Sequence, residues 1–383
     1  YNQNYEYSRM AIDLALGRGG DQVVVKEGEN VVYYGGNSKQ VEKNTRVKAR
    51  VKAHALREII ESREHVMIMG HSISDTDAFG AAIGIYCAAR VLGKKAQIVL
   101  DQVTSSLRPL KEGFTTEKGY PPDMFVSSER ALELTDYNTL VMVVDVNRPS
   151  HTECPGLLKR TDSIVVFDHH RQSSEVISNP VLSYIEPYAS STCEMVAEVL
   201  QYFTENIKLA PHEADCIYAG ILIDTSNFMT KTGVRTFEAA AYLKRCGAEV
   251  TRVRKMLRND MDAYKARAEV VRHAEVYRGA FAISICPADK IESPTIVGAQ
   301  AADELLNIVG IKASFVLTEY QGKIYVSSRS IDEINVQKIM ERLGGGGHLN
   351  MAGCQLRDCT VSQAQRIIED TIDEMLEEGD IEE

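Results

Sequence analysis

The segment His65-Val66-Met67-Ile68-Met69-Gly70-His71-Ser72-Ile73-Ser74-Asp75-Thr76-Asp77 joins an apolar run directly to a glycine and then to polar residues. The apolar run predicts a buried strand, and the glycine predicts the turn that ends it. Three side chains that can bind metals or protons, those of His71, Asp75 and Asp77, follow shortly after the strand. We therefore expect them to lie together at one edge of a sheet.

Short apolar runs alternate with helical stretches along the first two thirds of the chain. The runs occupy residues 65–69, 96–100, 140–144 and 164–167. Alternation of this kind predicts a parallel sheet that is covered by helices on both faces. Ligands of such sheets bind beyond the carboxyl ends of the strands, so the strand ends are the places to search for a site.

Beyond residue 276, apolar runs at 280–285, 313–317 and 324–328 predict a second, smaller unit of strands and helices. The predicted fold class is therefore α/β, with a parallel-sheet domain joined by a helical linker to a smaller α/β domain. The expected divisions are an N-terminal part over 1–36, an exposed basic linker over 37–52, the sheet domain over 53–250, the helical linker over 251–276 and the second domain over 277–383.

The composition is that of an ordinary globular protein, with 44% hydrophobic and 25% charged residues. A net charge of -11 argues against long nucleic acid as a partner, which requires many Lys and Arg side chains. The eight cysteines are scattered, which favours a reduced, cytoplasmic setting. We expect no membrane segment in this chain, because no apolar run approaches the roughly 20 residues that a spanning helix needs. The chain begins at Tyr1 without a methionine or a signal-peptide pattern, and we expect it to be part of a longer protein.

Three further elements end in carboxylate or imidazole groups. Asp145 follows the run 140–144, Asp168-His169-His170 closes the run 164–167, and Asp224 ends an apolar helical stretch. One aspartate at a strand end is usually a helix cap, and a lone histidine pair is usually structural. Four such elements in one sheet domain instead predict a metal centre.

The candidate ligands suffice for two divalent cations if one carboxylate bridges both. Imidazole and carboxylate ligands together favour manganese, and iron or cobalt are alternatives in vitro. The six candidate ligands are His71, Asp75, Asp77, Asp145, His169 and Asp224.

These motifs resemble the DHH phosphoesterases. Asp168-His169-His170 is the motif that names the family, and the other candidate ligands occur in the order of its remaining metal motifs. The second domain is similar to the DHH-associated domain of the RecJ and nanoRNase branch. That similarity lies in Val326-Ser327-Ser328-Arg329-Ser330, Gly344-Gly345-Gly346-Gly347-His348 and Ala352-Gly353, and it separates the chain from the inorganic pyrophosphatase branch.

A narrower resemblance is to the membrane-bound cyclic di-AMP phosphodiesterases of the GdpP type, which carry a degenerate GGDEF domain before the DHH part. Gly19-Gly20-Asp21-Gln22 resembles the signature hairpin of that domain, so residues 1–36 are expected to be its C-terminal remnant. The resemblance implies that this chain is a cytoplasmic fragment of a protein anchored at the cell membrane. We also expect a homodimer.

The resemblance implies a role for each candidate ligand. His71 and Asp75 would hold one Mn²⁺, Asp77, His169 and Asp224 would hold the other, and Asp145 would bridge the two. Asp168 would fix an imidazole, and His170 would contact the phosphate or protonate the leaving group.

Three segments are candidates for substrate binding. Gly344, Gly345, Gly346 and Gly347 would let backbone N–H groups approach an anion or a base, with His348 beside them. Arg329 offers a fork for phosphate, although a single arginine is as often a surface residue. Ser190, Ser191 and Thr192 would present hydroxyl and N–H groups to phosphate at a helix N-terminus, or would act as ordinary helix caps.

The function that the resemblance implies is hydrolysis of cyclic di-AMP to linear pApA by a two-metal mechanism. The first alternative is a nanoRNase-like hydrolase of short linear oligonucleotides or 3'-phosphoadenosine phosphate. The second is a catalytically dead sensor that only binds the nucleotide. The partner expected in each case is a small cyclic or linear adenine nucleotide.

Overall fold

The computed structural model describes residues 8, 11–12, 22–27, 30–35, 45–172, 175–205, 207–258, 261–288, 291, 293–331 and 334–381. The chain divides into two compact units, Tyr1–Arg258 and Asn259–Glu383. The division falls within the stretch 251–276, which the sequence indicates as a helical linker.

The first unit contains a two-stranded antiparallel sheet, a six-stranded parallel sheet and the helices around it. Its strands are β1 (Gln22–Glu27), β2 (Asn30–Gly35), β3 (His65–Met69), β4 (Lys95–Val99), β5 (Phe125–Val126), β6 (Thr139–Val144), β7 (Ile164–Asp168) and β8 (Leu182–Ile185). Its helices are α1 (Thr45–Glu61), α2 (Thr76–Val91), α3 (Arg108–Lys111), α4 (Ser128–Leu134), α5 (Thr192–Phe203), α6 (Pro211–Asp224), α7 (Val234–Arg245) and α8 (Val250–Met256).

The larger sheet has the order β5-β4-β3-β6-β7-β8, and every pair of neighbouring strands in it is parallel. The predicted parallel sheet is confirmed, and β3, β6 and β7 are neighbours, so their carboxyl ends meet at one edge. Alternate residues of β3 face opposite cores. Val66 and Ile68 pack beneath the helices α2, α5 and α6, whereas Met67 and Met69 pack on the other face with Ala131 of α4. The short strands β5 and β8 were not predicted, because neither has a long apolar run.

Helices α2 and α6 approach so closely that glycine is needed at their contact. A Cβ atom on Gly80 of α2 would lie 2.5 Å from the carbonyl oxygen of Cys216 in α6, and one on Gly220 of α6 would lie 3.0 Å from Cα of Asp77 in α2. Both would also lie within 2.7 Å of Sγ of Cys193 in α5. These distances are shorter than van der Waals contact, so neither glycine can be replaced without movement of the helices. The close approach brings Asp224, the last residue of α6, toward the strand ends.

The basic stretch before the sheet domain forms part of α1 from Thr45 onward. Ala49, Ala53 and Leu56 of this helix are completely buried, because their spacing of three or four residues places them on one face. Nζ of Lys48 lies 3.1 Å from Oε1 of Glu186. The described part of the stretch 37–52 is helical and mostly exposed, and Ala49 is its buried residue.

The second unit contains a six-stranded mixed sheet in the order β13-β14-β12-β11-β10-β9, in which only β10 and β11 run parallel. Its strands are β9 (Glu275–Tyr277), β10 (Phe281–Cys286), β11 (Ala313–Tyr320), β12 (Lys323–Ser330), β13 (Gly346–His348) and β14 (Met351–Leu356). Its helices are α9 (Met261–Arg272), α10 (Pro294–Leu305), α11 (Val336–Arg342) and α12 (Val361–Glu377).

The predicted helical linker over 251–276 consists of two helices, α8 and α9, and the start of β9. Val270 of α9 is fully buried against Ala282 and Val297, so α9 belongs to the core of the second unit. The stretch is helical over most of its length, and the apolar residues of its second half cover the mixed sheet.

The N-terminal part is described only in places. β1 and β2 pair in antiparallel fashion. Residues Gly19, Gly20 and Asp21, on which the GGDEF resemblance depends, lie outside the described residues. Among the helices of the described part, none has both the length and the apolar character needed to cross a bilayer.

Candidate metal centre

The six predicted ligands come together at the carboxyl edge of the parallel sheet. His71 follows β3, Asp75 caps the N-terminus of α2, and Asp77 lies in the first turn of that helix. Asp145 follows β6, and Asp224 closes α6. His169 follows β7. Their nitrogen and oxygen atoms form compact groups in which each atom lies within 4.8 Å of the others.

The first group contains His71, Asp75 and Asp145. Nε2 of His71 lies 3.5 Å from Oδ1 of Asp75 and 3.6 Å from Oδ2 of Asp145. The same Asp75 oxygen accepts the N–H groups of Asp77 and Ala78 at 3.0 Å. Asp75 is therefore a helix cap and a potential ligand at the same time.

The second group contains Asp77, His169 and Asp224. Nε2 of His169 lies 3.3 Å from Oδ2 of Asp224 and 3.9 Å from Oδ2 of Asp77. It also lies 3.5 Å from Oδ1 of Asp145. Asp145 thus has one oxygen toward each histidine, and the two groups meet at this carboxylate.

The backbone of Asp145 is in the left-handed region, with φ of 62°. Aspartate adopts this conformation more readily than most residues, but it still costs about 1 kcal/mol or more. The N–H group of Asp145 remains hydrogen-bonded to the carbonyl of Phe167 at 2.8 Å. The sharp bend after β6 holds the side chain between the two histidines.

The N-terminus of α5 binds the carboxylate of Asp77. The N–H groups of Thr192 and Cys193 donate to its two oxygens at 2.7 and 2.8 Å, and the Thr192 hydroxyl donates to Oδ1 of Asp145 at 2.9 Å. Ser191 accepts the N–H of Glu194, as a helix cap. All three candidate phosphate-binding residues are buried. Thr192 and Ser190 donate to carboxylates of the protein, and Ser191 is a helix cap, which was the alternative that the sequence indicated.

Burial and mutual repulsion disfavour the charged state of three of the carboxylates. Burial, together with the charges of Asp145 and Asp75, raises the pKa of Asp77 well above its usual range. Burial and the charge of Asp77 do the same for the pKa of Asp224. Burial raises the pKa of Asp145 to about 6 although His71 opposes the change. The raised pKa values indicate an excess of buried negative charge, which divalent cations would offset.

The two histidines differ in protonation. Burial lowers the pKa of His169 well below its ordinary value, so its imidazole is neutral. Nδ1 of His169 lies 3.4 Å from the carbonyl oxygen of Ala189, which leaves the Nε2 lone pair facing the carboxylates. Burial lowers the pKa of His71, but hydrogen bonds to Asp145 and Asp75 outweigh it and raise the value to about 10.

His170 is oriented by Asp168. Oδ1 of Asp168 lies 2.8 Å from Nδ1 of His170 and accepts the backbone N–H of the same residue at 3.1 Å. Burial lowers the pKa of His170, but the hydrogen bond and the charge of Asp168 outweigh burial and raise the pKa to about 9. The buried amide of Asn147 donates to Oδ2 of Asp168 and, at 3.2 Å, to the carbonyl of His170. Sequence reasoning missed Asn147, although its place two residues after Asp145 was a signal.

The four consecutive glycines at 344–347 have two different structural roles. A Cβ on Gly345 would lie 2.2 Å from the carbonyl oxygen of Gly353, and one on Gly347 would lie 2.4 Å from Cα of Ala352. These two glycines are required by the close pairing with β14. A Cβ on Gly344 or Gly346 would meet nothing within 4 Å, so their backbone is open. The side chain of His348 lies outside the described residues.

The guanidinium of Arg329 is held by an acid of its own unit. Nε lies 2.8 Å from Oδ1 of Asp303 in α10, and Nη1 donates to the carbonyl of Ser328 at 3.0 Å. The arginine predicted to present a free fork therefore has a protein partner. A cavity of about 490 Å³ lies beside the glycines and is lined by Tyr325, Ser327, Gly344, Gly345 and Arg357 among others.

Comparison with known proteins agrees with this architecture. Residues 65–221 match the DHH family N-terminal domain, and residues 281–378 match the DHHA1 domain. The chain is 43% identical over 377 residues to the cyclic-di-AMP phosphodiesterase GdpP of Geobacillus thermodenitrificans. The aligned region covers 97% of this chain and 57% of that protein. It is 42% identical over 381 residues to GdpP of Bacillus subtilis, with 98% and 57% covered. The chain thus spans less than two thirds of these relatives.

A solved structure also has this fold. The exopolyphosphatase-related protein of Bacteroides fragilis superimposes with a TM-score of 0.73 at 18% identity, over 85% of this chain and 96% of that one. The sequence comparison and the structural comparison both support a parallel-sheet unit followed by a smaller mixed-sheet unit. The chain belongs to the DHH family, with a DHH N-terminal domain followed by a DHHA1 domain.

Proposed function

We propose that this chain hydrolyses cyclic di-AMP to linear pApA at a centre that holds two Mn²⁺ ions. The observation that carries the proposal is the position of Asp145, whose Oδ2 lies 3.6 Å from Nε2 of His71 and whose Oδ1 lies 3.5 Å from Nε2 of His169. A carboxylate with one oxygen toward each of two imidazoles is placed to bridge a pair of cations.

The spacing of the ligand atoms supports two cations. Atoms that bind one cation at about 2.1 Å lie roughly 3 to 3.5 Å apart, and the pairs around His71 and His169 lie 3.3 to 3.9 Å apart. The two groups contain imidazole nitrogen and carboxylate oxygen but no thiolate. This donor set favours manganese over magnesium or zinc.

The residues around the centre have distinct tasks in the proposed reaction. Bound divalent cations would lower the pKa of a water molecule and stabilise charge on the departing oxygen. Asp145, His71 and His169 would hold these cations in place. Asp168 orients the imidazole of His170 through Nδ1, so His170 would donate a hydrogen bond to the phosphate or a proton to the leaving oxygen.

Substrate recognition is assigned to the second unit. The open backbone of Gly344 and Gly346 can approach a phosphate or a base, and His348 follows directly in the sequence. Tyr325 can stack on a purine and Arg357 can pair with a phosphate in the cavity beside these glycines. We assign Arg329 a structural role in its strand and no contact with the substrate, because Asp303 binds its guanidinium.

The choice of substrate follows the relatives. The two GdpP proteins, at 43% and 42% identity, are cyclic-di-AMP phosphodiesterases. We extend their activity to this chain, which contains both domains and the six ligands. We further propose, on the resemblance alone, that the longer protein is anchored at the cell membrane facing the cytoplasm and forms a homodimer. Membrane fractionation and light scattering of the full-length protein test these two points.

Product analysis tests the reaction. Purified protein is incubated with Mn²⁺ and either cyclic di-AMP or 3'-phosphoadenosine phosphate, and the products are separated by chromatography. Accumulation of pApA from the cyclic substrate supports the proposal. Mononucleotide as the only product from both substrates would favour the nanoRNase-like alternative. Absence of turnover with every divalent metal tried would favour a nucleotide sensor.

A further inference from the structure

Arg235, in the first turn of α7, is a buried cation among three acidic side chains. It is only 7% exposed. Its Nε and Nη2 each donate to a different carboxylate oxygen of Glu198 at 2.8 Å. Oε1 of Glu194 lies 3.4 Å from Nε, and Oε2 of Glu186 lies 3.9 Å from Nη1. The arginine thus compensates the charge of carboxylates that lie outside the metal centre.

Glu194 links Arg235 to the beginning of α5. Its Oε2 accepts the hydroxyl of Ser190 and the hydroxyl of Thr236, both at 2.6 Å. Its backbone N–H donates to Oγ of Ser191 at 3.0 Å. The loop that precedes α5 is therefore tied to the first turn of α7 through one buried carboxylate.

The same loop and helix start contact three of the candidate metal ligands. The carbonyl of Ala189 faces Nδ1 of His169, and Thr192 donates through its N–H to Asp77 and through its hydroxyl to Asp145. A displacement of this segment would move the ligands from both groups. Its position is consequently important for the metal centre, although it carries no ligand itself.

A buried carboxylate without a cation must take up a proton or admit water. Either change at Glu194 would disturb the two hydroxyl contacts that fix the segment. We propose that Arg235 is a positioning residue for the metal centre: by compensating Glu194 it fixes residues 189–193 and, through them, Asp77, Asp145 and His169. This inference rests on the proposed two-metal centre.

Arg90 offers a matched control. Its guanidinium also pairs with a buried carboxylate, that of Glu213, but it lies in the last turn of α2, at the end opposite to Asp77. Arg90→Met and Arg235→Met therefore both leave a buried glutamate without its arginine. Only the second change affects the segment beside the ligands.

The experiment measures Mn²⁺ binding by isothermal titration calorimetry, at a temperature where circular dichroism shows each variant to be folded. Arg235→Met is expected to weaken Mn²⁺ binding about 10-fold or more, and Arg90→Met is expected to bind Mn²⁺ as the wild type does. Arg235→Lys should give an intermediate affinity, because lysine restores the charge but not the two-pronged geometry.

The possible outcomes separate the two proposals. If the wild type and Arg90→Met show no Mn²⁺ binding, the metal centre itself is refuted. If both bind Mn²⁺ and Arg235→Met binds it equally well, only the role of Arg235 is refuted. Should Arg235→Met not fold, the double variant Arg235→Met/Glu198→Met replaces the ion pair by apolar side chains and still leaves Glu194 without a cation. Wild-type Mn²⁺ affinity in that protein overturns the inference.

Discussion

The hydroxyl of Thr192 donates a hydrogen bond of 2.9 Å to Oδ1 of Asp145, across 47 residues of sequence. This is the carboxylate oxygen that faces His169. The bond fixes the rotation of the carboxylate, so that its second oxygen faces His71. The orientation of the bridging group is therefore set by the protein before any cation binds, which favours tight binding.

Replacement of Asp224 separates metal binding from folding. Asp224→Ala is expected to abolish turnover and to weaken Mn²⁺ binding. The metal-free variant should unfold at the same or a higher temperature than the wild type, because a repelling carboxylate has gone. Thermal unfolding with and without Mn²⁺ checks this. Asp162→Ala, an exposed position before β7, is the control. Wild-type turnover in Asp224→Ala would contradict the ligand assignment.

The contact between α2 and α6 predicts a steric effect. Gly220→Ala places a methyl group 2.4 Å from Sγ of Cys193 and 3.0 Å from Oδ1 of Asp77. We expect a loss of about 1 to 3 kcal/mol in the free energy of unfolding, measured by urea denaturation. The same change in a Cys193→Ala background should cost less, because the sulfur no longer opposes it. An equal cost in both backgrounds would show that the clash lies elsewhere.

The acid stability of the first unit is predicted to depend on Glu213. Burial alone would raise the pKa of this carboxyl, but hydrogen bonds from Arg90 and from the N–H of Ala210 lower it below its ordinary 4.5. A lowered folded-state pKa adds stability above pH 4.5 that is lost as the pH falls through the folded value.

The variant Glu213→Gln tests this dependence. Near neutral pH it should be less stable than the wild type by about 1 to 3 kcal/mol. The difference in the free energy of unfolding should narrow as the pH is lowered below 4.5. Urea denaturation of both proteins over a series of pH values measures it, and a difference that stays constant would rule out this carboxyl as the cause.

Asn147 is predicted to act on turnover through Asp168 and His170. Asn147→Ala removes the amide that donates to Asp168, so the carboxylate can rotate away from the imidazole. Supporting partners of this kind typically account for about 10-fold to 100-fold in activity or metal affinity. Steady-state kinetics measures the loss, with Asn138→Ala, near the amino end of β6, as the control. An unchanged kcat would remove Asn147 from the proposed mechanism.

The sequence predicted the convergence of ligands because it depends on topology. His71, Asp145 and His169 follow strands that are neighbours in a parallel sheet, and such strands end at the same edge. The apolar runs therefore located the strands, and the residues after them located the site. The second sheet was predicted less completely, because β9 and β13 are only three residues long and lack an apolar pattern.

Residues with partners far away in the chain were not predictable in this way. Thr192 has the features of a phosphate binder in sequence, but its N–H and hydroxyl bind Asp77 and Asp145. The sequence shows no partner for Arg329, yet in the fold its Nε donates to Oδ1 of Asp303 at 2.8 Å. Local patterns show which groups a residue offers, whereas long-range packing decides which of them are already used.

The tight contact of α2 with α6 also bears on oxidation. The Cys193 thiol is completely buried in this contact, and burial raises its pKa well above the ordinary value, so the thiolate that reacts with peroxide is scarce. The sulfur itself fits only because Gly80 and Gly220 have no side chain. An oxygen atom added to the sulfur would need further space at the same place. We therefore expect α5, whose N-terminus binds the Asp77 carboxylate, to keep its sulfur unmodified under conditions that oxidise exposed cysteines.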